Sequence, residues 1–147
     1  MKLFLDTNLL IDFYAAREPY REFFAKLLAM RAFGDAELWA SAKSFTDVFY
    51  VCRKRIPADH LQRAFVKSEE FLNICSIGQD DVVEAARREW PDFEDCLVGV
   101  AAEKVKADYL VTRDTTGFTQ SKVAVVHPLD LFAVLEQRGY VYDEIAV

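Results

Sequence analysis

Short apolar segments alternate with helix-like segments along the whole chain, and this alternation constrains the fold more than any other feature. Runs of β-branched and aromatic residues of this kind are typical of strands buried on both faces. We expect five strands, at residues 2–5, 37–40, 74–77, the run around Leu110, and 123–126. Because a helix lies between successive strands, they should run parallel with right-handed crossovers. The sequence therefore predicts an α/β fold.

Polar residues mark where the helices begin. Ser41 precedes an amphipathic helix, and Asp92 precedes another that continues toward Lys106. In the second of these, Phe93 belongs to the side that we expect to face the core. Asp130 is the expected cap of a last helix that reaches Arg138, and the tail after it, residues 140–147, is aromatic and acidic enough to pack somewhere.

Two aspartates directly follow predicted strands. Asp6 comes after the first strand, and Asp114 falls just past the fourth. The carboxyl ends of parallel strands lie at one edge of the sheet, where open α/β sheets bind ligands. Asp95 lies in the first turn of one helix and Asp47 in the middle of another. We therefore expect these four aspartates to meet in one cleft.

Such a cluster is a candidate cation site. Each aspartate taken alone has a simpler interpretation, as a helix cap or a partner of the helix dipole. Four carboxylates in a partly dehydrated cleft repel, so their pKa values rise or a cation binds. All-oxygen ligands favour Mg²⁺ or Mn²⁺ over zinc. An ion of this kind activates water for phosphodiester hydrolysis, and Asn8 and Thr112 are placed to support the site.

The composition excludes several classes of protein. A hydrophobic content of 52%, with 12 Phe and 6 Tyr, excludes a disordered chain. Apolar runs fall short of the ~20 residues that span a bilayer, and the N-terminus breaks too early for a signal peptide, so we expect a cytoplasmic protein. Residues 1–147 are expected to form one domain. Three cysteines far apart in sequence are expected to be reduced core residues: Cys52, Cys75 and Cys96.

The net charge of −6 argues against nucleic-acid binding by bulk electrostatics. It leaves room for a local basic patch. Arg53, Lys54 and Arg55 form the densest basic cluster, and Arg113 stands beside Asp114. A solvated helix end explains the first cluster simply, but contact with substrate phosphates is the alternative that we keep for all four.

Four segments appear in an order and spacing that resemble a known family. They are Leu-Asp-Thr-Asn at 5–8, Ser-Phe-Thr-Asp-Val-Phe-Tyr at 44–50, Asp-Phe-Glu-Asp at 92–95, and Ala-Asp-Tyr-Leu-Val-Thr-Arg-Asp at 107–114. Together they span nearly the whole chain. At these residues the chain resembles the PIN domains, and within them the bacterial and archaeal group that includes VapC-type toxin ribonucleases.

The resemblance implies a three-layer α/β/α sandwich with a five-stranded parallel sheet, and an endoribonuclease site for single-stranded RNA that depends on Mg²⁺ or Mn²⁺. Asp6, Asp95 and Asp114 would bind the metal. Asp47 stands where the family usually has glutamate, and its shorter side chain would push it into an outer role. The resemblance also implies a homodimer, and an antitoxin protein as partner when such a chain is a toxin.

Two other readings have to be weighed. A phosphatase of the haloacid dehalogenase type needs a second aspartate two residues after the first, where this chain has Asn8, and a receiver domain needs paired N-terminal acids and a late lysine that the sequence lacks. The alternative kept open is a PIN-like protein that has lost catalysis and acts as a binding or assembly module. The aspartate at position 47 is the feature that favours it.

Overall fold

Five parallel strands form one sheet in the computed structural model, which describes residues 1–142. The strands are β1 (Lys2–Leu5), β2 (Glu37–Ser41), β3 (Leu72–Cys75), β4 (Tyr109–Val111) and β5 (Ala124–Val126). Their order across the sheet is β3-β2-β1-β4-β5, and every neighbouring pair is parallel. From β1 the chain adds β2 and β3 on one side of the sheet and then β4 and β5 on the other side. The strand order therefore reverses between β1 and β4. The predicted α/β fold and its five-stranded parallel sheet are confirmed.

Helices cover both faces of the sheet. They are α1 (Thr7–Tyr14), α2 (Arg21–Ala32), α3 (Ala42–Cys52), α4 (Ala58–Lys67), α5 (Gln79–Arg88), α6 (Phe93–Lys104) and α7 (Pro128–Glu136). Successive residues of β1 face opposite layers, as the pleat requires. Leu3 and Leu5 join a buried cluster with α1 to α4 and α7, whereas Phe4 joins a second cluster with α5 and α6. This is the three-layer α/β/α sandwich that the resemblance implies.

Several boundaries differ from the sequence predictions. β3 begins at Leu72, two residues early, because Leu72 pairs with Leu38 and lies buried while Ile74 lies at the exposed edge. The last helix is capped by His127, whose Nδ1 accepts a hydrogen bond from the backbone of Leu129, and not by Asp130. The prediction that Phe93 faces the core is wrong, since 47% of this residue is exposed.

Other local predictions are confirmed. Ser41 caps α3, and Asp92 caps α6 through a hydrogen bond from the backbone of Asp95. All three cysteines are free and buried. Tyr142 packs edge-on against Phe132, and the rest of the predicted tail, residues 143–147, lies outside the described residues. None of the helices within residues 1–142 is long and apolar enough to cross a membrane.

A buried ion pair ties α1 to the loop that follows β4. Asp12 is 2% exposed, and its Oδ2 lies 2.7 Å from Nε of Arg113. A second arginine, Arg17, lies 3.6 Å from Oδ1 of Asp12. Burial raises the pKa of Asp12, while the two arginines oppose the rise. Arg113 therefore has a structural partner, and its expected contact with RNA stays a prediction.

Replacing Arg113 by methionine should destabilise the fold strongly. The substitution leaves Asp12 buried without its close partner, and breaking a buried pair in this way costs about 3 kcal/mol of the free energy of unfolding. Urea denaturation measures the loss. The double variant Arg113→Met with Asp12→Asn should recover part of it, because the uncompensated buried charge is then removed.

A matched control is the surface pair Arg63 and Asp59, whose side chains lie 3.0 Å apart and are both 66% exposed. Arg63→Met should change the free energy of unfolding by less than about 1 kcal/mol, as exposed pairs do. Equal losses for Arg63→Met and Arg113→Met would contradict the buried role of the Asp12 pair.

Candidate active site

Asp6 lies at the carboxyl end of the central strand, at the point where the winding of the sheet changes direction. It is 3% exposed, yet both carboxylate oxygens are hydrogen-bonded. The backbone of Thr7 donates to Oδ1 at 2.7 Å, and Thr112 Oγ1 donates to Oδ2 at 2.7 Å. Thr112 follows β4, so this second bond spans the crevice in which open α/β sheets bind ligands.

Asp95 lies in the first turn of α6, which begins at the same edge of the sheet. The cap that Asp92 provides fixes this turn, because Asp92 Oδ1 accepts a 3.1 Å hydrogen bond from the backbone of Asp95. The turn carries three carboxylates, and Asp92, Glu94 and Asp95 each have an oxygen within 4.8 Å of the others. Within residues 1–142, the carboxylate of Asp95 accepts no hydrogen bond and forms no ion pair.

Asp114 reaches the same place from the loop after β4. Its Oδ1 accepts hydrogen bonds from Thr116 Oγ1 at 2.7 Å and from the backbone of Gly117 at 3.2 Å, which fixes a short 3₁₀ helix at Thr115–Phe118. A Cβ atom built on Gly117 would lie 2.5 Å from Asp95 Oδ2 and 3.0 Å from Asp114 Oδ2. These two carboxylate oxygens therefore flank one small space, which Gly117 leaves open.

The charges of this cluster disfavour one another. Burial raises the pKa of Asp6 to about 6 against the lowering effect of its hydrogen bonds. Burial likewise raises the pKa of Asp95 to about 7, and repulsion from four carboxylates adds to the rise: Asp92, Asp6, Glu94 and Asp114. Asp114 behaves differently, since the hydrogen bonds from Thr116 and Gly117 hold its pKa below the ordinary value.

A second set of contacts joins α1, α3 and α6. Thr7 Oγ1 donates to Glu94 Oε1 at 3.0 Å and lies 2.7 Å from the hydroxyl of Ser44, which is 1% exposed. The sequence reasoning missed Glu94, Thr7, Ser44 and Gly117. Glu94 had one signal, its place beside Asp95 at the start of a helix that points at the strand ends. Such a glutamate looks like an ordinary partner of the helix dipole.

Asp47 does not join the cluster directly. Its Oδ2 lies 2.5 Å from Nζ of Lys43, one turn earlier in α3, and the same Nζ lies 3.9 Å from Glu94 Oε1. The fourth carboxylate beside Asp6, Asp95 and Asp114 is therefore Glu94. A direct catalytic role for Asp47 stays a prediction.

The two residues that the sequence suggested as supports, Asn8 and Thr112, lie beside Asp6, and their supporting role stays a prediction. Thr112 is fully buried against Asp6, and Asn8 Nδ2 points at Thr112 Oγ1 from 3.4 Å. Asn8 Oδ1 is buried and has no hydrogen-bond partner within residues 1–142. This unpaired oxygen adds one more acceptor at the crevice.

The basic cluster lies away from the acids. Ser44, in the first turn of α3, lies beside the acids, and the helix ends eight residues later at Cys52, about 12 Å away at the rise of an α-helix. Arg53 caps that far end and lies over the ring of Tyr50, with Lys54 and Arg55 after it. Contact of this cluster with RNA stays a prediction and would involve phosphates distant from the cleft.

Stability should respond to pH through Asp95. Because the folded pKa of Asp95 lies above its ordinary value of 3.8, its stabilising contribution is present below that value and is lost as the pH rises toward about 7. Without divalent ions, Asp95→Asn should therefore be more stable than wild type at pH 8, by on the order of 1–2 kcal/mol after solvent screening is allowed for. The difference should shrink at pH 5. Denaturant unfolding at both pH values measures it.

Asp114→Asn is the control with the opposite sign. Its carboxylate is favoured by hydrogen bonds, so its stabilising contribution is present above 3.8 and is lost as the pH falls. The Asn variant should be no more stable than wild type at pH 8. If both Asn variants shift stability in the same direction, the assigned repulsion at Asp95 is wrong.

Several solved structures share the fold of this chain. Curated protein sequences give no match. VapBC2 from Rickettsia felis, bound to a DNA fragment from its promoter, aligns with 86% of this chain and 98% of its own at a TM-score of 0.66 and 18% identity. VapBC-1 from nontypeable Haemophilus influenzae aligns with 88% of this chain and 99% of its own, at a TM-score of 0.64 and 16% identity. A toxin–antitoxin complex from Klebsiella pneumoniae aligns with 86% of this chain and 97% of its own, at a TM-score of 0.60 and 25% identity.

The sequence itself carries the stronger assignment. The sequence profile of the PIN domain matches residues 2–116, which include β1 to β4 and all four of the predicted aspartates. Since this match covers well over half of the sequence, the chain belongs to the PIN domain family.

Proposed function

We propose that this chain is a divalent-cation-dependent endoribonuclease that hydrolyses single-stranded RNA in the cytoplasm, and that it is the toxin of a toxin–antitoxin pair. Mg²⁺ or Mn²⁺ is the proposed ion. Membership of the PIN domain family and the acidic crevice between β1 and β4 support this proposal.

The observation that carries it is the position of Asp95. This half-buried carboxylate faces four others and accepts no hydrogen bond within residues 1–142, so its charge lowers the stability of the free protein. A structural cap would have a donor, as Asp92 and Asp114 do. A bound cation supplies what Asp95 lacks.

The residues present fit a hard divalent cation. Asp95 and Asp114 offer oxygen ligands around the space that Gly117 leaves open. Glu94 lies within 4.8 Å of Asp95, and Asp6 is close enough to raise the pKa of Asp95 by repulsion. Oxygen-rich sites of this kind suit Mg²⁺ and Mn²⁺. When bound, such an ion lowers the pKa of water and offsets the negative charge of the phosphodiester.

The chain's own groups orient the reactants. In hydrolysis, a water oxygen bonds to phosphorus, one bridging P–O bond breaks, and the leaving oxygen takes a proton from a second water molecule. A carboxylate of the cluster accepts the proton that the water loses. Thr112 and Thr7 hold Asp6 in one orientation, and the cap from Asp92 holds the turn that carries Asp95. This fixed geometry keeps the reacting groups in place.

Partners are proposed from the neighbours. The toxin–antitoxin complex from Klebsiella pneumoniae is 25% identical over nearly its full length, which supports an antitoxin partner for this chain. Induced expression in a bacterial host should arrest growth, and Asp95→Asn should not. The homodimer that the resemblance implies stays a prediction, which sedimentation of the purified chain tests.

A catalytically weakened binding module is the second candidate. The ion pair between Lys43 and Asp47 favours it, because a paired Asp47 is less available to a second metal ion. The cleavage assay below separates the two candidates.

Cleavage of single-stranded RNA should need both the ion and Asp95. Wild type should cut a mixed-sequence RNA with Mn²⁺ or Mg²⁺ and lose activity in chelator, and Asp95→Asn should be slower by at least about 100-fold, since a ligand of the ion is lost. Gel analysis of the products measures the rate. Asp59→Asn, at an exposed surface pair, is the control and should cleave like wild type. Equal rates for wild type and Asp95→Asn would contradict the proposed site.

Gly117→Ala should weaken ion binding without unfolding the chain. Its new methyl group would meet Asp95 Oδ2 at 2.5 Å, so the carboxylates must move apart. We expect the Mn²⁺ affinity, measured by calorimetry, to fall by about tenfold or more. Gly78→Ala is the matched control, because a methyl group there meets its nearest neighbour, Asp81, only at 3.9 Å. An unchanged affinity in Gly117→Ala would remove the space beside Gly117 from the proposed site.

A further inference from the structure

Lys43 brings a positive charge to an otherwise acidic cleft. It is the second residue of α3, and its Nζ lies 2.5 Å from Asp47 Oδ2 and 3.9 Å from Glu94 Oε1. Pairs four residues apart on an exposed helix face are common and weak. Glu94 differs, because it belongs to another helix and to the acidic cluster. Lys43 therefore lies between its own helix and the acidic cluster.

The first turn of α3 holds Lys43 in this position. Ser44, the next residue, contacts Thr7 Oγ1, which in turn donates to Glu94. The backbone nitrogen of Lys43 donates to Ser41 Oγ at 3.3 Å, and its carbonyl accepts a hydrogen bond from Thr46 at 2.8 Å. With its backbone held and its side chain 38% exposed, Lys43 remains open to a ligand that enters the cleft.

Lys43 offsets part of the negative charge around the crevice. Five carboxylates surround the crevice: Asp6, Asp92, Glu94, Asp95 and Asp114. Within residues 1–142, these five carboxylates form a single ion pair, which joins Glu94 to Lys43. A phosphodiester that enters the cleft is itself negative and is repelled by these carboxylates. Its binding therefore needs positive charge in the cleft.

An ammonium group has three N–H donors. In Lys43 one donates to Asp47, while Glu94 lies 3.9 Å away, beyond hydrogen-bond distance, so donors remain for a ligand. Asp47 accepts the hydrogen bond of Lys43 within the same helix. The pair thus provides a tethered cation next to the acidic cluster.

We propose that Lys43 contacts a non-bridging oxygen of the substrate phosphodiester and serves as the second cation of the site, so that the chain binds one divalent ion and not two. This rests on the proposed nuclease function. Asp47 is then the ion-pair partner of Lys43 and not a ligand of the divalent ion.

Binding of a single-stranded RNA in chelator tests the contact, because the ion and cleavage are both absent. Lys43→Met should weaken binding by about tenfold and reduce the slope of log affinity against log salt by roughly one phosphate contact. Lys43→Arg keeps the charge and should stay within about threefold of wild type. Lys122→Met is the matched control, since Lys122 lies 3.9 Å from Glu103, outside the cleft. If Lys43→Met binds RNA with wild-type affinity and salt slope, the contact is overturned.

Asp47→Asn separates substrate contact from a purely structural pair. If Lys43 mattered only as the partner of Asp47, both variants would lose RNA affinity alike. We expect Asp47→Asn to keep at least wild-type affinity in chelator, because a negative charge is removed while the ammonium stays. A loss equal to that of Lys43→Met would overturn the proposal.

Mn²⁺ titration tests the count of ions. Wild type should bind one Mn²⁺ per chain, and Lys43→Met should take up a second once Asp47 and Glu94 are released. Two ions in wild type would overturn the second-cation role. Wild type that cleaves RNA through Asp95, together with a Lys43→Met variant of unchanged RNA affinity, removes the Lys43 proposal alone. Wild type that neither cleaves nor binds Mn²⁺ removes both proposals.

Discussion

The hydrogen bond from Thr112 to Asp6 joins the central strand to the strand on the other side of the crevice, and the geometry of the site depends on it. A buried carboxylate is costly unless its oxygens are paired. Thr112 and the backbone of Thr7 pair both oxygens of Asp6, so the carboxylate stays at the mouth of the crevice. The loop after β4 is thereby fixed, and with it Asp114.

Repulsion and compensation are balanced at this edge of the sheet. The helices α1, α3 and α6 all begin there, and the positive ends of their dipoles favour the nearby carboxylates. Hydrogen bonds satisfy Asp6 and Asp114, and Lys43 lies beside Glu94. Asp95 has neither a hydrogen bond nor an ion pair within residues 1–142, and burial and repulsion raise its pKa. The arrangement is thus stable enough to fold and still favours the entry of a cation.

The sequence predicted the sheet and the three aspartates at its edge because both follow from local patterns. An apolar run followed by aspartate places Asp6 and Asp114 at strand ends, and a helix cap places Asp95. The sequence did not reveal contacts between distant segments. Asp12 and Arg113 pair across about a hundred residues, and Gly117 matters only because two carboxylates meet beside it. Phe93 was misplaced because helical periodicity does not tell how much of a helix's first turn the fold covers.

Asp6 and Asp95 also differ in what their presence says about the history of the chain. Asp6 caps α1 and holds Thr112, so a chain that had lost its activity would still retain it for the sake of folding. Asp95 gives the fold no such benefit, and random substitution would replace it readily once selection on function ceased, because most replacements would relieve repulsion. A carboxylate that lowers the stability of its own protein is therefore better evidence that the activity is still under selection than a carboxylate that stabilises the fold.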